Sequence, residues 1–350
     1  MSRSRNSGYF SVLAGVAMVA FSLLCPTTAV QAQQSEKPVT IAYNLPRDHA
    51  TGTFFEVLAR EIAERTARTS LKLVPRTFPD GQLYNDSQLP EAIGSGAVDI
   101  GQVNLGFVSG PDARVLRIWA LPFLYTSWEA EWASEDSPEF REVFTRQLGK
   151  YGQKMLGWVQ YGVVEIYANK SIQKPADVKG LRLRGFGVDS VTLLRDLGAS
   201  PVTMSSQEIY QGVMRGIIDG FSTGPSSVVD RKLYEVTKFG TDVGLSFIPF
   251  IATANQKWWE GLPKDTQEAI EQAASVAQKA ARTQAKADNE KIREKLAGHG
   301  VTIHTPTPAE RQLWLDAAKS RQADYLKTAG EDGKRMLDVV ARENARWAPR

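Results

Sequence analysis

Two short stretches hold residue types in an order that can do chemistry. In Leu181-Arg182-Leu183-Arg184-Gly185, leucine and arginine alternate. A period of two puts the leucines on one face of a strand and both arginines on the other. Arg184 then stands at the strand's C-terminal end beside Gly185 and Gly187, where open α/β sheets seat their ligands. A guanidinium there can grip a carboxylate through two parallel hydrogen bonds. The second stretch, Gly220-Phe221-Ser222-Thr223-Gly224, matches G-x-S-x-G, the turn that presents a nucleophilic serine in α/β-hydrolases. His299 or His304 would supply the base of a secreted esterase, but no His-Gly-Gly-Gly segment supplies an oxyanion hole. Gly185-Phe186-Gly187 opens a dinucleotide pattern that fails at Ser190, so no cofactor is expected. His49, His299 and His304 lack the spacing of metal ligands, so no metal is expected.

The elements that must position Arg184 alternate between strand and helix. Val39–Asn44 reads as a strand, and Thr51–Thr66 as a helix in which Phe54, Phe55, Leu58 and Ile62 recur near the 3.6-residue period. Leu71–Val74 and Val98–Val103 are further strands. Between them lies a helix to Ile93, opened by Asn85 and Gln88. A second series contains strands at Met155–Gln160, Val163–Ala168 and Lys179–Arg184, then a helix to Leu197. It continues with a short extended Pro201–Thr203, a Ser205/Glu208 capping box before a helix to Val213, and a strand at Ile217–Phe221. Gly96-Ala97-Val98-Asp99 in the first series is echoed by Gly216-Ile217-Ile218-Asp219 in the second. The two series predict an α/β fold of two similar domains. From Pro263 a helical pattern continues to Ala297. Its roughly 33 residues would span about 50 Å, longer than either domain, and predict a helix laid across both. Val301–His304 is a strand, Thr307-Pro308 opens another helix, and a last helix is expected over Lys334–Trp347.

The first 32 residues carry Arg3, Arg5 and no acid, then an apolar run from Val12 to Leu24 and small residues around Ala32. This is the pattern of a secretory signal peptide cleaved after Ala32. Its loss takes the 42 basic side chains to 40 against 39 acidic ones and removes Cys25, the only cysteine. A near-neutral balance with scattered basic residues argues against nucleic acid as a partner. A thiol-free secreted chain of this length must be held by its core, which suits a bacterial periplasm.

The sequence resembles the extracytoplasmic solute-binding subunits of tripartite ATP-independent periplasmic (TRAP) transporters over nearly all of residues 38–330. The likeness is carried by Phe78-Pro79-Asp80-Gly81-Gln82-Leu83, by Leu121-Pro122-Phe123-Leu124 and by the Lys174–Arg184 stretch ending Lys-Gly-Leu-Arg-Leu-Arg. Leu197-Gly198-Ala199-Ser200-Pro201-Val202, Glu208-Ile209-Tyr210, Gly216–Gly220, Tyr234-Glu235-Val236 and Leu262-Pro263 follow in the same order. The resemblance implies a two-lobe periplasmic-binding-protein-like fold with hinge strands and a long helix spanning both lobes. Residues 33–161 plus 249–288 would form lobe I, and 162–248 plus 289–350 lobe II.

It also implies a monomer without enzymatic activity that closes on one organic acid and delivers it to membrane subunits, with Arg184 holding the carboxylate. A ligand-binding component of a sensor, or of another uptake system, would share the fold. Four positions depart from the family's pattern, one of them Asn104, which falls where the sialic-acid-binding branch has an acid. Val164 stands where many members carry a second arginine, Thr223 replaces a frequent asparagine, and Ser206 replaces an aromatic residue. A pocket with one cation is therefore expected to take a monocarboxylate. Asn44, His49, Asn104, Glu165 and Thr223 are the expected polar contacts, and Tyr43, Tyr161, Tyr210, Phe221 and Phe247 the expected walls.

Overall fold

A computed structural model describes residues 35–348; the leader, its cleavage point and Cys25 lie outside the described residues. The first series runs β1 (Ser35–Ala42), α1 (Ala50–Thr66), β2 (Leu71–Phe78), α2 (Leu89–Ser95) and β3 (Ile100–Val103). A 3-10 segment at Pro111–Ala120, α3 (Trp128–Glu135) and α4 (Pro138–Gly149) lead to the long strand β4 (Gln153–Ala168). The second series is β5 (Leu183–Gly185), α5 (Val188–Asp196), β6 (Val202–Thr203), α6 (Ile209–Met214), β7 (Gly220–Thr223) and α7 (Pro225–Asp230). A second long strand, β8 (Phe239–Asn255), precedes α8 (Gln256–Glu260), α9 (Lys264–Gly298), β9 (Thr302–His304), α10 (Pro308–Ala318) and α11 (Ser320–Arg346).

All strands join one sheet in the order β2-β1-β3-β8-β4-β7-β5-β6, with β9 added to β8. The centre is the antiparallel β4–β8 ladder. β3 pairs with the C-terminal end of β8, Ile100 opposite Ala254. β7 pairs with the C-terminal end of β4, Ala168 opposite Gly220. Each lobe thus has its own parallel group, β1–β3 or β5–β7, and both groups lean on the same two strands. The register shifts between Gln160 and Gly162, and Gly162 takes φ +142°, a conformation in which a side chain would be strained.

The echoed aspartates do the same work in both lobes. Asp99 accepts a hydrogen bond from the Thr40 backbone N–H on the neighbouring strand at 2.8 Å, and Asp219 accepts from that of Arg182 at 2.8 Å. Their carbonyls take the backbone N–H groups of Asn255 and Asn169, the residues that close β8 and follow β4.

Helix α1 forms as its period predicts. Phe54, Phe55, Leu58 and Ile62 are fully buried, each contributing about 1.5–3 kcal/mol by leaving water. α9 lies against α1 through Ala273, Ala274, Ala277 and Ala281, small residues that let the two backbones approach. Its far end puts Ile292 and Leu296 into a different core with Tyr167 and Phe221, so its 35 residues cross both lobes.

Several elements differ from the sequence expectation. The two strands expected at Met155–Gln160 and Val163–Ala168 are the one continuous β4. Strand β5 begins only at Leu183, because Arg182 is drawn out to solvent by a bidentate pair with Asp219. β8 has no counterpart in the expectation. The last helix starts at Ser320 and breaks at Gly330, where φ is +63°. Its Met336, Leu337 and Val340 join the core of α3, α4 and the Pro111–Ala120 segment. The last helix thus returns to pack against elements of the N-terminal half of the chain.

Candidate functional site

β5 lies between β6 and β7 and parallel to both, so its C-terminal end opens onto the gap between the lobes. Arg184 sits there with only 2% of its surface exposed. Nε donates to the Met204 carbonyl (2.9 Å) and Nη1 to the Ser222 carbonyl (3.1 Å), which fixes the plane of the guanidinium. Nη2 has no hydrogen-bond partner. The group stands over the Phe186 ring, 5.5 Å from its centroid. Burial pulls its pKa down and Asp86 opposes that, yet a guanidinium keeps its proton in any protein environment.

Facing it is a narrow cavity. The first lobe contributes Asp86, from the turn before α2, whose carboxylate accepts from the Ser205 hydroxyl (2.8 Å) and the Ser206 N–H (3.3 Å). Asp86 Oδ2 lies 4.0 Å from Arg184 Nη2. Asn44 donates from Nδ2 to Ser206 Oγ (3.0 Å), while its Oδ1 is sealed and without a partner. Asn104 also lines the cavity, its side chain accepting from the Gly106 N–H. On the opposite wall, Tyr161 shares its hydroxyl with Thr223 (2.9 Å), Ser227 (3.0 Å) and the Gly224 N–H (2.8 Å). Arg231, at the end of α7, donates from Nη2 to the Asn44 carbonyl, and its Nε is sealed without a partner. Leu45, Ile248 and Phe250 supply apolar wall.

Of the expected contacts, Arg184, Asn44, Asn104, Tyr161 and Thr223 line this cavity. Six others do not. Tyr43 stacks on Phe55 and donates its hydroxyl to Glu56, so it is core. His49 caps α1 by accepting the Thr51 N–H on Nδ1, and its Nε2 bonds Ser226 Oγ (3.0 Å). It lines a neighbouring pocket with Trp128 and Asp288. Burial holds its pKa down at about 3, so it is neutral at any physiological pH. Glu165 accepts the Tyr167 hydroxyl, and burial beside Asp242 pushes its carboxyl well above the usual range. Tyr210 donates to Glu235. Phe221 stacks on Tyr167, and Phe247 packs edge-on to Tyr125 and Trp128. Of these rings Tyr43 and Phe221 are fully buried, whereas Tyr210 and Phe247 are half-buried outside the cavity.

Sequence reasoning missed Asp86 and Arg231 and expected one cation where there are two. Asp86 hides in a turn that reads as a helix start. Arg231 lies in Asp230-Arg231-Lys232, a run that reads as a solvated face. The hydrolase reading also fails on geometry. Ser222 lies within strand β7 rather than on an exposed turn, is 2% exposed, and donates to the Arg184 carbonyl (3.1 Å). His299 stacks on Tyr234 and His304 pairs with Glu310, both away from it. Among the described residues no cluster of His, Cys, Asp or Glu could hold a metal ion, and no helix is long and apolar enough to cross a membrane.

Comparison with known proteins matches residues 41–328 to the family described as bacterial extracellular solute-binding protein, family 7. The C4-dicarboxylate-binding periplasmic protein DctP of Vibrio cholerae serotype O1 is 28% identical over 288 residues, covering 81% of this chain and 84% of that one. A TRAP periplasmic solute-binding protein from Anaerococcus prevotii, solved with bound D-glucuronate, superposes with a TM-score of 0.83 at 22% identity, covering 89% of this chain and all of that one. An extracytoplasmic solute receptor of Bordetella pertussis, DctP6, which binds pyroglutamic acid, gives 0.81 at 24% identity, covering 87% of this chain and all of that one.

Proposed function

The chain belongs to the bacterial extracellular solute-binding proteins of family 7, and from that membership we propose that it is a periplasmic receptor for a small organic acid with a single carboxylate. The lobes close on the acid and hand it, unaltered, to the membrane subunits of a TRAP transporter. The family consists of transport receptors, not enzymes. One observation carries the ligand class: a fully buried guanidinium with Nη2 free and facing a cavity. Burying a charge without all its partners costs several kcal/mol, and a carboxylate supplies the missing acceptor.

The charge count favours one carboxylate. Arg184 and Arg231 bring two positive charges and Asp86 one negative, so the cavity is formally +1. A monoanion neutralises it; a dianion overshoots. The relatives' ligands, a C4-dicarboxylate, a sugar acid and pyroglutamic acid, are all small acids, and Arg231 gives the dicarboxylate alternative its one foothold. We place the division between lobes at the β4 register shift near Tyr161 and across from it near Pro249, with residues 1–32 as a leader removed on export.

A thermal-shift screen over small organic acids tests the proposal. An acid present at a hundred times its dissociation constant adds roughly 2.7 kcal/mol to stability. Monocarboxylates should raise the melting temperature of the wild type and leave that of Arg184→Ala where it was. A screen in which no acid moves the wild type would remove the function.

A further inference from the structure

The two halves of the molecule also meet away from the cavity. Arg117, in the 3-10 segment Pro111–Ala120, places Nε 3.4 Å from Asp189 Oδ2 in the first turn of α5. The side chains are 24% and 28% exposed. They are anchored in different cores. Val115, Leu116, Ile118 and Trp119 pack with the α4 residues Phe140 and Phe144, whereas Leu193 and Leu194 of α5 pack with Leu183 of β5. Arg321 of α11 holds the other end of α5 through Asp196 at 2.7 Å. Beside the Arg117–Asp189 pair is a hollow bordered by Val188, Thr192, Arg114 and Thr328. Charge, not apolar packing, therefore joins the two edges here.

Asp189 lies five residues beyond Arg184. Between them Gly187 passes so near the Gly106 carbonyl that an added Cβ would collide with it. One short connection thus carries the guanidinium that faces the cavity, a close backbone contact with the first lobe, and a carboxylate paired across the gap. We propose that Arg117 and Asp189 form an electrostatic latch between the lobes, outside the ligand cavity, that sets the closed fraction of the unliganded protein. The pair exists only while the lobes are together, because Asp189 moves with α5 and Arg117 with the segment packed on α4. Neither residue lines the cavity. An apparent dissociation constant is the intrinsic one divided by the binding-competent fraction, so the latch scales the affinity for every acid by one factor. The inference rests on the lobe closure proposed above, not on which acid is held.

Reversing the two charges tests it. The exposed positions Glu91 on α2 and Met214 on α6, changed to cysteine in the chain lacking its leader, supply one spin label to each lobe. In the unliganded protein, Arg117→Asp and Asp189→Arg should each cut the short-distance population severalfold. The double variant should restore it, which a merely structural role would not do. Arg117→Gln, which removes one charge and adds none, should fall between the wild type and the reversals. Calorimetry with succinate, L-pyroglutamate and D-glucuronate reads the same shift. Each reversal should weaken every acid that binds by a common factor of about three to ten, and the double variant should return to within about twofold of the wild type.

Distances unchanged in the single variants overturn the inference. So does a double variant no better than the singles. A loss that differs from acid to acid also overturns it, since that would put the pair in recognition. Each of these results leaves the organic-acid receptor standing. If none of the acids binds the wild type, that counts against the receptor reading, and the distances alone decide the latch.

Discussion

Asp86 Oδ2 stands 4.0 Å from Arg184 Nη2, one side chain from each lobe, both all but sealed from solvent. The separation is too long for a hydrogen bond and short enough for strong attraction. Asp86 is held off by its bonds to Ser205 and Ser206, so the last N–H of Arg184 stays available. The pair therefore offsets charge across the gap without filling it. A ligand carboxylate can take Nη2 without first breaking a hydrogen bond there.

Removing Arg184 should do two separable things. Arg184→Ala should lose about 2–5 kcal/mol of binding free energy, seen by calorimetry. It also leaves Asp86 buried without its cation, which should destabilise the unliganded protein by roughly 3 kcal/mol. Adding Asp86→Asn should restore much of the melting temperature and none of the affinity. Recovery of both would mean that Arg184 serves the fold alone.

Closure can be blocked at one atom. Gly106, in the first lobe, faces the Phe186 carbonyl of the second so closely that an added Cβ would collide with it. Gly106→Ala should fold normally and bind acids at least tenfold more weakly, because the lobes cannot meet. Small-angle scattering should show the wild type contracting on saturation and the variant remaining open. An unchanged affinity would show that this contact is dispensable.

A buried acid should leave a signature in the pH dependence of stability. Glu131 on α3 is fully buried, and burial together with Glu135 raises its pKa well above the usual 4.5; Gln160 donates to it at 3.3 Å. Its neighbour Glu135 instead pairs with Arg282 of α9. A carboxyl whose folded-state pKa is raised binds its proton more tightly when folded. Its contribution is complete below the unfolded value and is lost as pH rises through the folded one. Glu131→Gln should thus match the wild type in melting temperature near pH 4 and exceed it increasingly above. Parallel melting curves from pH 4 to 9 would assign Glu131 no proton.

The twin aspartates should be equivalent in cost. Asp99→Asn and Asp219→Asn each weaken a carboxylate bond to a neighbouring strand's N–H, and each should lose about 1–3 kcal/mol in urea unfolding. For Asp219, the bonds from Arg182 hold the carboxyl below its usual 3.8. That contribution is present above the unfolded value and fades as pH falls through the folded one. The wild type and Asp219→Asn should therefore converge in stability below about pH 3.8. A difference that persists in acid would mean that the carboxylate charge is not what holds the strand.

Local patterns made much of this structure legible. The period of α1, the Ser205–Glu208 box, the Thr307 cap and the length of α9 all follow from short-range rules, and the structure keeps each of them. The Asp99 and Asp219 echo marked the doubled lobe because both residues face the same backbone task. Arg184 was legible because strand alternation and the family pattern agree on it. β8 was not, because Gly240, Gly244 and Pro249 interrupt a strand that is held by β4 and β3 rather than by its own propensity. Arg231, Asp86 and the misplaced Tyr43, Phe221, Phe247 and Glu165 share one cause. Whether a side chain faces a gap or a core depends on which lobe it meets, and that is long-range information.

The place of β8 in the sheet also bears on how the protein is made. Ile100 on β3 waits for Ala254, and the parallel group of the N-terminal half has no central neighbour until then. A ribosome must therefore deliver some 250 residues before the first half can be completed. A chain that is late to become compact remains threadable for as long as it is being synthesised.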